Sequence, residues 1–155
     1  MRLVIKQRVF SWTDSYDVYD EFENVCYRVK GEYFSLGHRL HVYDAQGQEV
    51  GLVKQKLMSI LPAFEIETDG EVQGRVNRKF SMFAPRYEVD YMGWRADGDF
   101  LGWQYDVYQA CSLAVQVYKK VLSWGDTYII DYTEPEHRLP ALMLVLAIDA
   151  ANCSG

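Results

Sequence analysis

Residues 139–151 read LPALMLVLAIDAA, a run in which Asp149 is the single charged residue. Pro140 falls in the first turn of the helix this run predicts, where a missing N–H costs least. A helix that is apolar on every side must be buried on every side, in a protein core or in a bilayer. The run falls short of the ~20 residues a bilayer span requires. It is therefore predicted to lie inside the structure built by the rest of the chain.

Upstream of this run the period of the apolar residues changes from helical to alternating. YDVYD at 16–20, LHVYDA at 40–45, FEIET at 64–68 and YEVDY at 87–91 alternate in period two, the pattern of half-buried strands. Each follows a basic strand that ends in a serine flanked by apolar residues: KQRVFSW at 6–12, VKGEYFSLG at 29–37, VKQKLMSIL at 53–61 and VNRKFSMF at 76–83. A fifth copy is YKKVLSWG at 118–125. The serines are Ser11, Ser35, Ser59, Ser81 and Ser123, so the chain is an internal repeat of hairpins. DEFEN at 20–24, DAQGQ at 44–48 and TDGE at 68–71 supply the turn-forming residues between units.

The first and last units agree best. Val9/Val121, Ser11/Ser123, Trp12/Trp124, Asp14/Asp126 and Tyr16/Tyr128 match at one fixed offset, which predicts equivalent positions in one sheet. A meander whose two ends resemble each other closes on itself and loses its exposed edges. The predicted fold is mainly β: a closed antiparallel barrel around a buried apolar C-terminal helix, one domain over residues 1–155.

Composition fits this architecture. The chain has 155 residues, 49% hydrophobic and 15% aromatic, enough to build one core. A net charge of −6 argues against a surface that attracts nucleic acid as a whole and restricts any anion site to a local patch. Cys26, Cys111 and Cys153 are odd in number and lack CxxC spacing, so they are predicted to be small buried hydrophobes, neither disulfides nor zinc ligands. The N-terminal MRLVIKQRVFSW has no continuous apolar stretch for export, and the cytoplasm is the expected compartment, with a membrane-peripheral location for a lipid binder.

SWGDTYIID at 123–131, FSLG at 34–37, LHVYDAQGQEV at 40–50 and LAIDA at 146–150 together resemble the LURP-one-related family over nearly the whole chain. That resemblance implies a fold similar to the tubby C-terminal domain and the phospholipid scramblases, twelve strands around a central helix. It also implies functions known for those relatives: phosphoinositide head-group binding in tubby domains, membrane association in scramblases, and defence in plant members.

Among polar residues, the basic pairs are the main candidates for function. Lys6 and Arg8, Arg28 and Lys30, and Lys54 and Lys56 are two apart and share a strand face, and Arg78, Lys79, Lys119 and Lys120 extend the set. Were equivalent strands neighbours, these pairs would form a ladder able to hold a phosphorylated head group. The competing explanation is pairing with acidic neighbours on an outer face.

Catalytic and metal patterns are weak. No GxSxG elbow surrounds the repeated serines. His38 and His41 enter a strand and His137 stands alone, without a third metal ligand at a recognisable spacing. Asp90, Asp97 and Asp99 lack the ligand pattern of a calcium loop, and Asp97 with Gly98 predicts a turn. Asp149, if buried near the helix end, needs a partner and is expected at the barrel mouth, touching water or a basic side chain. No cofactor and no metal are called for.

The function expected from these residues is that of a non-catalytic intracellular binding domain for an anionic lipid head group or a protein. The alternatives are lipid scrambling or another activity in a cleft, and a scaffold that assembles through exposed Trp94 and Trp103.

Overall fold

Twelve strands precede one helix in the computed structural model, which describes residues 1–6, 15–34, 37–122 and 125–154, the side chains of 33 and 34 excepted. The first six strands are β1 (Arg2–Ile5), β2 (Ser15–Asp20), β3 (Val25–Phe34), β4 (Gly37–Asp44), β5 (Glu49–Gln55) and β6 (Ala63–Thr68). The next six are β7 (Glu71–Lys79), β8 (Arg86–Asp90), β9 (Trp94–Asp99), β10 (Gln104–Gln109), β11 (Ser112–Leu122) and β12 (Gly125–Tyr132). One 3-10 turn, Pro135–His137, leads into α1 (Arg138–Cys153).

The strands form a single antiparallel sheet in the order β8-β7-β6-β5-β4-β3-β2-β1-β12-β11-β10-β9. The sheet curls into a barrel around α1. The predicted meeting of first and last units takes the form of a β1–β12 ladder, with Ile5 opposite Tyr128 and Leu3 opposite Ile130. Since β2 flanks β1 on its other side, Tyr16 and Tyr128 both lie on strands beside β1, and both are buried. The other four matched pairs include residues outside those described. The barrel is nearly closed: β8 and β9, the two ends of the order, are adjacent through residues 91–93 but share no ladder.

Alternation fills the interior from the strands: Leu3, Ile5, Val18, Val29, Val42, Val53, Ile66, Val76, Val107 and Val117 are completely buried. The helix supplies the rest. Every residue from Ala141 to Ala151 is buried, so α1 has no solvent face, as its unbroken apolar composition requires. It starts one residue before and ends two residues after the predicted run. Gly51 on β5 makes room for it, because a Cβ there would lie 2.6 Å from the Met143 sulfur.

Several expectations are corrected. Trp94 and Trp103 are buried, the first packed edge-on against His137 (5.1 Å between centroids) and the second at a tilt against Tyr128 (4.5 Å), so neither offers an exposed aromatic for assembly. Asp97 and Gly98 lie within β9, and the chain turns at 91–93 and 100–103 instead. Gly98 serves a close approach there: a Cβ would come 2.7 Å from the Tyr105 Cα, and φ is 139°. Cys26 is buried, but Cys111 and Cys153 are exposed, and none of the three forms a disulfide.

Candidate functional site

Antiparallel pairing sends alternate connections to opposite ends of the barrel. Residues 56–62, 80–85 and 100–103 gather at the end where α1 terminates, which we call the mouth. The Asn152 amide locks the helix there by donating to the Phe100 carbonyl oxygen (3.1 Å) and accepting from the Tyr87 hydroxyl. Tyr87 packs edge-on to Phe100 at 5.2 Å, which ties β8 to the loop after β9 across the seam.

The strand order separates basic strands. Between β3 and β5 lies β4, and between β5 and β7 lies β6, so the condition for a continuous basic ladder is not met. On the outer wall most cations meet acids. Arg28 binds Asp17 at 3.0 Å, Lys6 binds Glu23 at 3.1 Å while lying over the Tyr19 ring, and Lys119 lies 4.0 Å from Asp126. Lys120 lies over the Tyr118 ring, and Lys30 is exposed on β3 opposite Ser15 and His41. His41 itself is held by Glu32 (2.5 Å) and Glu49 (2.6 Å) across three strands. Arg8 lies outside the described residues, as do Ser11, Ser35 and Ser123.

Lys54, Lys56, Arg78 and Lys79 differ from these. They stand at or beside the mouth ends of β5 and β7, where Arg78 donates its backbone N–H to the Pro62 carbonyl oxygen (2.9 Å) and Lys56 donates its own to that of Ala63 (2.8 Å). Two residues missed by sequence reading join them. Arg86 sits directly opposite Lys79, and Arg39 directly opposite Lys54. Lys54, Lys56, Arg78, Lys79 and Arg86 make no ion pair among the described residues. Arg39 and Lys54 are flanked in the same row by Glu32 on β3 and Glu65 on β6, which balance them, whereas like charges directly opposite are destabilising and Lys79 and Arg86 have no such acidic neighbour. The signal that would have found Arg86 is an absence of acids: residues 50–64 and 72–87 hold six of the chain's basic residues and no Asp or Glu.

The opposite end is acidic. Its turns and the approach to α1 carry Asp20, Glu21, Glu23, Asp44, Asp69, Glu71, Glu134 and Glu136. Asp20 accepts backbone N–H bonds from Phe22 and Asn24, which hold its carboxyl below the usual range. Asp99 and Asp126 stand at the mouth end too, so the cations there form a local patch on the β5–β6 and β7–β8 side within a chain of net charge −6.

Beneath the mouth lies Asp149. Burial lifts its pKa from the ordinary 3.8 to about 7, against the opposing effect of a hydrogen bond from Trp103. Its second oxygen has no partner among the described residues. In place of the expected basic side chain, the Trp103 indole of the 100–103 loop meets the carboxyl. Tyr16 and Tyr105, also buried, have phenols raised by desolvation and by the Asp149 carboxylate. Arg78 opposes the burial that pushes Tyr87 up to about 12.

At the far end, Arg138 contacts the Cys26 sulfur and lies over the Tyr27 ring; burial raises the Cys26 thiol despite that guanidinium. Cys26 is therefore held as a thiol and not activated. His38 lies on β4 and His137 packs under Trp94, and among the described residues no three His, Cys, Asp or Glu side chains are grouped to hold a metal. No described helix is long and apolar enough to cross a membrane.

Comparison with known proteins agrees with this architecture. The uncharacterized protein YxjI of Bacillus subtilis (strain 168) is 32% identical over 149 residues, covering 96% of this chain and 92% of its own. The X-ray structure of an Arabidopsis thaliana protein superposes with a TM-score of 0.66 at 17% identity, over 97% of this chain and 90% of that one. A family model described as LURP-one-related matches residues 1–149, and the chain belongs to the LURP-one-related family.

Proposed function

We propose that this protein is a non-catalytic binding domain that recognises a phosphorylated, anionic head group at the cationic patch of the barrel mouth. The observation that carries this reading is Lys79 directly opposite Arg86, next to Lys56 and Arg78, all without an ion pair among the described residues, at one end of an acidic chain. A bound phosphate relieves that repulsion and gains charge-assisted hydrogen bonds. The interior favours binding over chemistry, because α1 fills the space where a barrel enzyme would place its cleft. Exposed cysteines that form no disulfide suit a reducing compartment, the cytoplasm.

Calorimetric titration with a soluble inositol trisphosphate at low and moderate salt tests the proposal. Salt-sensitive binding that disappears in Lys54→Glu/Lys56→Glu supports it. Heats indistinguishable from dilution at low salt would remove it.

A further inference from the structure

The cationic residues at the mouth surround a set of apolar side chains that the fold leaves in solvent. Met58 and Ile60 at the tip of the β5–β6 connection are fully exposed, and Phe80, Met82 and Phe83 in the β7–β8 connection are 82%, 81% and 96% exposed. Leu101, between β9 and β10, is exposed beside them. Apolar residues scattered singly over a surface need no explanation, but these are collected on neighbouring connections at one end.

The loops are built, not merely unpacked. Met58 holds a left-handed backbone at φ 63°, Ser59 Oγ donates to the Leu61 carbonyl oxygen at 2.6 Å, and the loop is closed by the backbone bonds of Lys56 and Arg78. This geometry turns Met58 and Ile60 away from the barrel. Cations lie one to three residues behind the tips in sequence: Lys56 before Met58, Lys79 before Phe80, Arg86 after Phe83.

We infer that the mouth is a membrane-docking surface, in which these loop tips enter the interfacial region of an anionic bilayer while the cations behind them meet lipid phosphates. The inference rests on the anion-binding reading above and adds apolar insertion and a fixed orientation to it. Charge complementarity selects the occupant. An apolar tip backed by cations with no acid in either segment matches a surface that is apolar inside and anionic outside. The acidic far end is repelled by the same surface, so the barrel axis stands along the membrane normal with the mouth down.

The test uses vesicles of phosphatidylcholine alone and with phosphatidylserine, at low and moderate salt. The full chain is expected to co-sediment with the anionic vesicles. Met58→Ser/Ile60→Ser/Phe83→Ser is expected to weaken that binding at least tenfold with no change in melting temperature, because the three side chains touch little. A polarity-sensitive fluorophore on Ile60→Cys, with Cys111 and Cys153 replaced by Ser, is expected to shift to the blue on vesicles. The same fluorophore on native Cys111, at the opposite end, in Cys153→Ser is expected not to shift.

Unchanged vesicle affinity in the triple Ser variant, or no shift at position 60, would overturn insertion while leaving anion binding intact. Binding of inositol trisphosphate without vesicle binding would do the same. Loss of self-association in the triple Ser variant, in place of lost vesicle binding, would assign the face to a second copy of the chain. Failure with soluble phosphate and vesicles alike sinks both readings.

Discussion

Trp103 donates a hydrogen bond to the carboxyl of Asp149 from a left-handed backbone, φ 55°, that bulky residues seldom adopt. The strain is offset by what the indole reaches: the polar side chain of an otherwise apolar helix segment, and the face of Tyr128. Asp149 is buried, and its pKa of about 7 lies well above the 3.8 of an exposed carboxyl. The folded state therefore binds a proton that the unfolded state releases. The contribution of this group to stability is full below about pH 4, falls as pH rises toward 7, and is lost above it.

The first prediction follows directly. At about 1.4 kcal/mol per pKa unit, this group alone makes the native protein less stable at pH 7.5 than at pH 4 by on the order of 3–4 kcal/mol. Asp149→Asn, which keeps the shape and cannot ionise, should flatten this dependence and raise the neutral-pH melting temperature. Urea melts at several pH values check it, and a variant with the wild-type slope would assign the dependence to other carboxyls.

Trp103→Phe retains the ring and removes the donor. It should push Asp149 higher still and cost about 1–3 kcal/mol near neutral pH, the penalty for a buried polar group left without its partner. At pH 4, where the carboxyl is protonated in both proteins, the difference should shrink. A loss equal at both pH values would show that ring packing, not the hydrogen bond, is what the substitution disturbs.

The helix gives a packing prediction. Leu142 and Leu146 share one face of α1 and Leu144 lies on nearly the opposite one, and all are buried, so each change to Ala should cost about 2–5 kcal/mol in denaturant melts. A surface helix would tolerate at least one of them. Gly51→Ala should also destabilise, and Gly51→Ala/Met143→Ala should recover part of that loss, since Met143 is what the new Cβ meets.

A charge reversal at the mouth separates stability from binding. Lys79→Glu places an acid opposite Arg86 and converts repulsion into a cross-strand ion pair, a change of about 0.2–1 kcal/mol in favour of folding. Anion binding should fall while the melting temperature holds or rises. Arg28→Ala, at a cation already joined to Asp17, should leave binding unchanged. Equal loss of binding in both variants would mean that net charge, not the mouth, attracts the anion.

The barrel was legible in the sequence because its signals are local. Period-two alternation in segments such as FEIET and the all-apolar LMLVLAI each admit one burial pattern, and the matched Tyr16 and Tyr128 anticipated that the end strands meet. Exposure of the tryptophans was misjudged because nothing local tells Trp94 that His137 and Tyr91 will surround it. Asp97 and Gly98 looked like a turn because the same glycine chemistry serves a close approach between strands. The site was half visible. Single strands showed the basic pairs, but only pairing register shows that Arg39 faces Lys54 and Lys79 faces Arg86, while Arg28 and Lys6 are spent on acids.

The helix that fills the barrel follows all twelve strands in the chain. On a ribosome, then, the inner faces of every hairpin emerge before the residues that cover them. Neighbouring strands pair early, since most ladders are local, but they have nothing to close around until Ala141–Ala151 leave the exit tunnel. Closure of the barrel must wait for the helix, and the nascent barrel wall is a natural client for chaperones that hold exposed strands apart.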